Sequence, residues 1–398
     1  MDQPADPRVT VNFDHHTAEW VEDPYSLYQE LRQHKPLAYS PAHGGFWILS
    51  RYEDVKGALQ DWARFSSAHA GRIAIPHTRP SDNIPGIPIE ADPPRHTQYR
   101  SAIVGHFLRS SVVRFEPELT AYAHQLIDAF IEEGHCDLVS QYATPLLARS
   151  LALFLELPFE DMAQIEQWAH AVFGNRTRDP EGARIAQQEL AQYIRQQMRT
   201  RQDNPGDDLF SQLVKLRVDG QPLSENELVG YGRIVLLAGR EAVIDAIGNS
   251  LWYLAHNPAA RHQLIGQPQL MNTAVEEFLR YLSPIQLLGR VATTDITLHG
   301  QTIKAGASVA MLYGSANRDE EQFPQADQCQ LDRKPNAHLA FGNGPHACIG
   351  ANLARLDLRV ALAVFLERIP QFALVEDQPP QRKLNGDARG FTRLPIQF

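Results

Sequence analysis

The chain has 398 residues, 43% of them hydrophobic, and a formal net charge of −10. That length could hold two domains, but no Gly/Ser-rich linker, charge block or repeat marks a boundary, so residues 1–398 are read as one domain. The acidic balance disfavours nucleic acid, and three cysteines argue against a disulfide framework and for a reducing, cytoplasmic setting. Residues 1–19 are polar and lack a signal-peptide core, and the most apolar run, 146–159, is short and interrupted by Arg149 and Glu156, so no membrane span is expected.

Asp23-Pro24-Tyr25 opens a helix through about Gln33, with proline where its missing N–H costs nothing. Residues 36–40 and 45–50 read as a hairpin around Pro41-Ala42-His43-Gly44. A helix restarts at Arg51 and closes at 65–67. Residues 68–94 contain six prolines and no clean period, which predicts a long irregular loop. The next helix opens at Asp92-Pro93-Pro94 and runs to about Phe107, placing His96 and Arg100 on one face. Taken alone, that pair reads as a solvated edge. Residues 113–217 are mostly amphipathic helix, with segments 117–134, 138–155, 159–175 and 181–203, a flexible lid at 177–182 and a further helix at 209–217.

After a turn at 218–223, Ser224-Glu225-Asn226-Glu227 forms a capping box that starts the longest predicted helix, 225–256. At about 1.5 Å per residue it would be on the order of 45 Å long. Its centre is unusual, with Ala238, Gly239 and Ala242 beside the charged Arg240 and Glu241; a helix crossing with a salt bridge would explain it. Two helices follow over 259–282, and Glu277 and Arg280, three apart, can pair, although Glu-x-x-Arg is common in helical proteins. Residues 285–292 lead into a strand, and strands at 296–300, 302–306 and 308–313 surround two glycine turns.

Residues 338–350, His-Leu-Ala-Phe-Gly-Asn-Gly-Pro-His-Ala-Cys-Ile-Gly, form a loop that ends in a single thiol. Gly342 and Gly344 permit positive φ, Pro345 stiffens the turn, and a helix runs from just beyond Cys348 to near Ile369. A helix N-terminus beside the sulfur would favour thiolate. A lone thiol can be a small buried hydrophobe, a nucleophile or a metal ligand. No base signature accompanies it, and Cys136 and Cys329 show no paired zinc spacing, while an axial ligand suits the nest. The last strands include 390–392.

The pattern Phe341-Gly342-x-Gly344-x-His346-x-Cys348-x-Gly350 resembles the haem-binding loop of the cytochrome P-450 family, in its unanchored bacterial form. The resemblance implies a mainly α, triangular fold, with a long central helix over the haem and a small β-rich part. It also implies haem b on the Cys348 thiolate, and O2 activated with two electrons from a ferredoxin-type donor and its reductase. The product would be an oxidised, for example hydroxylated or demethylated, small or medium hydrophobic substrate. A monomer with no membrane or nucleic-acid partner is expected, and the electron donor would dock near Arg109, His346, Arg355 and Arg359.

Residue by residue, the resemblance assigns His96, Arg100, Arg290 and His338 to the haem propionates, and Phe341, Gly342, His346 and Gly350 to the cofactor loop. Ala238, Gly239 and Glu241 match the oxygen-binding segment. Glu277, Arg280 and Arg333 would form a buried network that holds the cysteine loop. Ile234, Leu237, Gln286, Leu287, Leu288 and Phe391 would line the substrate pocket, where Arg72, His77, Arg79 or Arg240 could meet an anionic group. Ala242 departs from the family, which has threonine there. Three routes then stand open: proton supply by water or a substrate hydroxyl, chemistry such as oxidative coupling, or direct use of peroxide. A haem-based gas or redox sensor is the competing class.

Overall fold

The computed structural model describes residues 8–69, 71–76, 84–174, 179–384 and 386–398. The fold is mainly α. The helix Ala351–Arg368 runs through the core and packs on Glu116–Asp128, Arg240–His256 and Met271–Leu282. Its buried stripe includes Leu353, Leu356, Val360, Leu362 and Phe365. Polar anchors fix its rotation: Tyr142 Oη donates to Ala361 O at 2.7 Å, and Ser150 Oγ donates to Asp357 Oδ1 at 2.7 Å.

The β-rich part is a five-stranded sheet in the order Leu37–Ser40, Phe46–Leu49, Ser308–Leu312, Leu287–Ala292, Phe65–Ser66. Side chains alternate between its faces. Ile48, Leu287, Ala310 and Leu312 enter one apolar cluster, whereas Leu49, Val309 and Met311 enter another. The segment expected to close the second helix is instead the edge strand, with Phe65 opposite Ala292.

The predicted capping box is present: Ser224 Oγ accepts from Glu227 N at 3.3 Å, and Glu227 Oε2 accepts from Ser224 N at 2.8 Å. The single long helix is not. It is two helices, Glu225–Leu237 and Arg240–His256, and the longest continuous helix among the described residues is Pro180–Asp203, with 24 residues. Between them Gly239 relaxes to φ −87°, ψ −7°. Glycine costs a helix interior about 1 kcal/mol relative to alanine, and a Cβ placed there would meet nothing within 4 Å, so no packing restores the ladder.

The predicted lid at 177–182 is corrected in part. From Pro180 onward it is regular helix, capped by Asp179 Oδ1 accepting from Gly182 N at 2.9 Å, while 177 and 178 lie outside the described residues. Among the described residues, no helix is long and apolar enough to cross a membrane.

Candidate functional site

The loop before Cys348 is folded tightly on itself. Gly342 and Gly344 both adopt φ +67°, Gly342 N–H donates to Leu339 O at 2.8 Å, and Cys348 N–H donates to Phe341 O at 2.7 Å. Gly344 has a second constraint: a Cβ there would lie 2.4 Å from Leu59 O, so only glycine lets the loop reach the helix Tyr52–Gln60. Gln60 Nε2 fastens that contact by donating to Asn343 Oδ1 at 3.0 Å. At the loop's start, Leu339 N–H donates to Asn317 Oδ1 at 2.6 Å.

Cys348 is exposed, yet protein crowds its sulfur, so its accessible surface belongs to an internal space. A Cβ on Gly350 would sit 3.9 Å from its Sγ and 4.0 Å from the Phe107 ring. Burial pushes the Cys348 thiol up, and the Gly350 N–H, Arg100 and Arg355 only oppose that rise. The Gly350 N–H at the helix start acts toward thiolate, as expected, but burial outweighs it. A bound metal cation removes the proton outright.

Four basic side chains, His96, Arg100, Arg290 and His346, cluster here, and Arg100 also acts on the Cys348 sulfur. The His96 and His346 rings lie 4.2 Å apart at 50°. Burial, then Arg100, lowers His96 to about 4; burial, then Arg290, His96 and Arg100, lowers His346 to about 3. Both imidazoles are thus neutral donors at pH 7, crowded by two guanidinium groups. His96 Nδ1 and His346 Nε2 are buried without a hydrogen-bond partner. Such a cation-rich pocket with orphaned nitrogens fits the carboxylates of a dianionic planar cofactor, and Cys348 fits its metal.

His338 does not join this group. Its Nε2 is 3.1 Å from Glu276 Oε2, and its Nδ1 accepts from Ala340 N at 3.2 Å, so both nitrogens are engaged and the propionate assignment is corrected. Glu276 also takes Arg355 through two bonds of 2.6 and 2.8 Å. Burial would raise Glu276, but Arg355 and His338 win and hold it down to about 2. Arg355 in turn lies over the Phe341 ring, 4.5 Å from its centroid. His346, with its ring turned to His96, is likewise unsuited to contacting an electron donor.

The buried network forms as expected. Arg280 Nε and Nη2 each donate to Glu277 at 2.8 Å, and Arg333 Nε donates to the same carboxylate at 3.1 Å. The remaining guanidinium protons go to backbone carbonyls of residues 317–328, including Asn317, Ala326 and Pro324. Glu277 and Arg280 are wholly buried, so the cluster fixes the segment that leads into the cysteine loop.

At the helix break, Ala238 and Gly239 are exposed although Leu236, Leu237 and Arg240 around them are buried, so the two small residues border open space. Beyond them, Lys383 Nζ pairs with Glu241 and lies 2.7 Å from Asp245 Oδ1. Burial raises Glu241, but Lys383 overcomes it and keeps the carboxyl below its usual range; Asp245, more deeply buried, is pushed up to about 6. Sequence reading missed Lys383, which follows a short strand and carries no motif. Ala242 presents a methyl group one position beyond Glu241.

Several pocket assignments are corrected. Gln286 has no exposure, with Oε1 accepting from Tyr28 Oη at 2.9 Å and Nε2 donating to Ser283 O at 2.5 Å. Leu287 faces the apolar cluster of Phe13, Trp20 and Tyr28, and Leu237 and Phe391 are core residues. A side chain with essentially no accessible surface lines no space large enough for a ligand. Ile234 and Leu288, partly buried, stay available. Among the proposed anion contacts, Arg240 pairs with Glu166, and Arg72 donates to Ser308 Oγ at 2.7 Å and Gly306 O at 3.0 Å. His77 and Arg79 lie outside the described residues.

A family model described as Cytochrome P450 matches residues 141–398. The mycinamicin IV hydroxylase/epoxidase of Micromonospora griseorubida is 35% identical over 376 residues, covering 93% of this chain and 94% of its own. The biotin biosynthesis cytochrome P450 of Bacillus subtilis is 31% identical, covering 96% and 98%. Among solved structures, the bacillaene polyketide synthase cytochrome P450 PksS of Bacillus subtilis gives a TM-score of 0.89 at 30% identity, covering 97% of this chain and 99% of that one. P450BioI, in complex with an acyl carrier protein ligated to hexadec-9Z-enoic acid, gives 0.87 at 30% identity, covering 96% and 100%. This chain accordingly belongs to the cytochrome P450 family, the monooxygenases that use O2 at a haem held by a cysteine thiolate.

Proposed function

We propose that this P450 hydroxylates or otherwise oxygenates a hydrophobic organic substrate, with Cys348 Sγ as the iron ligand and His96, Arg100, Arg290 and His346 as the propionate contacts. The observation that carries the reading is the pair of buried, unpartnered nitrogens, His96 Nδ1 and His346 Nε2, beside Cys348 and two guanidinium groups. When bound, haem supplies the redox chemistry with O2. Glu277, Arg280 and Arg333 keep the cysteine loop in register, and Ala238 and Gly239 border open space that O2 and substrate would enter. Relatives named mycinamicin IV hydroxylase/epoxidase and cyclomarin C epoxidase support oxygen insertion as the outcome.

Ala242 carries no hydroxyl, so the proton needed at the reacting oxygen is held by an ordered water or by a substrate hydroxyl. Lys383 fixes the Glu241 carboxylate at the entrance to that route. The electron donor is an acidic ferredoxin. Its site is a groove of about 680 Å³ that includes Arg109, Glu116, Lys334, Arg355 and Arg359. Arg359 is held by Glu116 at 2.5 and 2.7 Å, and Arg355 by Glu276, so the exposed positive charge there comes from Arg109, which also acts on Glu116, and Lys334.

Turnover with a surrogate ferredoxin, its reductase, NADH and a substrate found by a low-to-high spin change tests this reading. Oxygenated product in proportion to NADH consumed is the expected result. Product only with added peroxide would favour the peroxide route that Ala242 leaves open.

A further inference from the structure

Far from Cys348 in sequence, three histidines meet. One ring nitrogen each of His15, His16 and His43 lies within 4.8 Å of the others. The rings of His15 and His16 are 4.2 Å apart, and His43 stands 5.6 and 5.3 Å from them. Three imidazoles at this spacing are the ligand set of a borderline cation such as Zn²⁺.

Their hydrogen bonds have the pattern of oriented ligands. His15 Nε2 and His16 Nε2 both lie on Ile75 O, at 2.7 and 2.8 Å, and His43 Nε2 lies 2.8 Å from Asp14 Oδ1. A carbonyl can only accept, so the first two rings carry their proton on Nε2 and keep a lone pair on Nδ1. Metal-bound histidines characteristically donate the other ring N–H to a carbonyl or carboxylate in this way. Hydrogen bonding alone leaves a defect: His15 is wholly buried, and its Nδ1 has no partner. His16 Nδ1 receives only Gly386 N–H, at 3.2 Å.

We propose that His15, His16 and His43 bind one zinc ion through ring nitrogens. The ion joins the N-terminal segment, through His15 and His16, to the hairpin turn that carries His43. His43 is exposed and sits at φ 55° on the turn, so its side chain can close the remaining distance. The role is structural, a clamp of the N-terminal segment on the hairpin turn.

The test uses the untagged holoprotein, stripped with chelator, incubated with Zn²⁺ and desalted, with zinc and iron measured separately. The expected result is about one zinc per chain and a chelator-reversible rise in Tm of about 2 °C or more. His16→Ala and His43→Asn should each lose the zinc and the Tm rise while keeping haem absorbance; asparagine tolerates the left-handed backbone at 43. Substoichiometric zinc in the wild type, or full zinc retention in both variants, would overturn the proposal.

Discussion

Lys383 Nζ lies 2.7 Å from Oδ1 of Asp245, a carboxylate with 1% exposure one helical turn beyond Glu241. One ammonium therefore balances two acids, and its own pKa is raised by Asp245 and Glu241 against burial. Replacing it by methionine strands a buried charge, which costs roughly 3–5 kcal/mol. The loss should be larger at pH 8 than at pH 5, because both carboxyls, deprived of the ammonium, titrate upward and can protonate in acid. Urea unfolding of the holoprotein at the two pH values measures this; equal losses would contradict the pairing.

Glu277→Gln leaves Arg280 and Arg333 buried without their shared carboxylate. A destabilisation of roughly 3–5 kcal/mol is expected, together with a lower haem-to-protein absorbance ratio, because residues 317–333 lead into the cysteine loop. Normal haem content with reduced Tm would separate the network from the loop.

Asp357 is pushed up to about 7 by burial, against the help of Ser150. The unfolded chain releases this proton near pH 4, about the ordinary carboxyl value, so the folded form binds more protons over that interval. Stability falls as pH rises from about 4 to about 7 and is level above. Asp357→Asn should remove this slope, gaining on the order of 4 kcal/mol at pH 8 and little at pH 4. Parallel pH–stability curves for the two proteins would refute it.

Ala242→Thr restores a hydroxyl one residue after Glu241. It should leave the thiolate-haem spectrum unchanged and raise product formed per NADH by about two-fold, most for substrates lacking a hydroxyl. That gain is modest against the 10²–10⁴ a positioned proton donor can contribute, because water already serves. A fall in coupling would contradict the water- or substrate-assisted route.

The cysteine loop was readable because its glycines, histidine and thiol sit within ten residues, and because Gly344 has a steric reason to be glycine. Glu277 and Arg280 were readable for the same local reason. The break at Gly239 was not: Ala238 and Gly239 keep right-handed helical angles, so local pattern shows continuous helix. Pocket residues failed at Leu287 and Gln286 because period-two alternation says which residues share a face, not which face meets a cavity. Lys383, Glu276 and the His43 partnership depend on contacts across 142, 62 and 29 positions, for which the chain carries no local signal. The adjacent pair His15-His16 was the one visible hint of the third.

The most direct test of the account is the carbon monoxide difference spectrum of the reduced protein, wild type beside Cys348→Ala. The wild type should show the long-wavelength Soret band of a thiolate-ligated carbonyl haem, and the variant should lose that band even where haem remains bound. A wild type without it, or a variant that keeps it, would contradict Cys348 as the iron ligand.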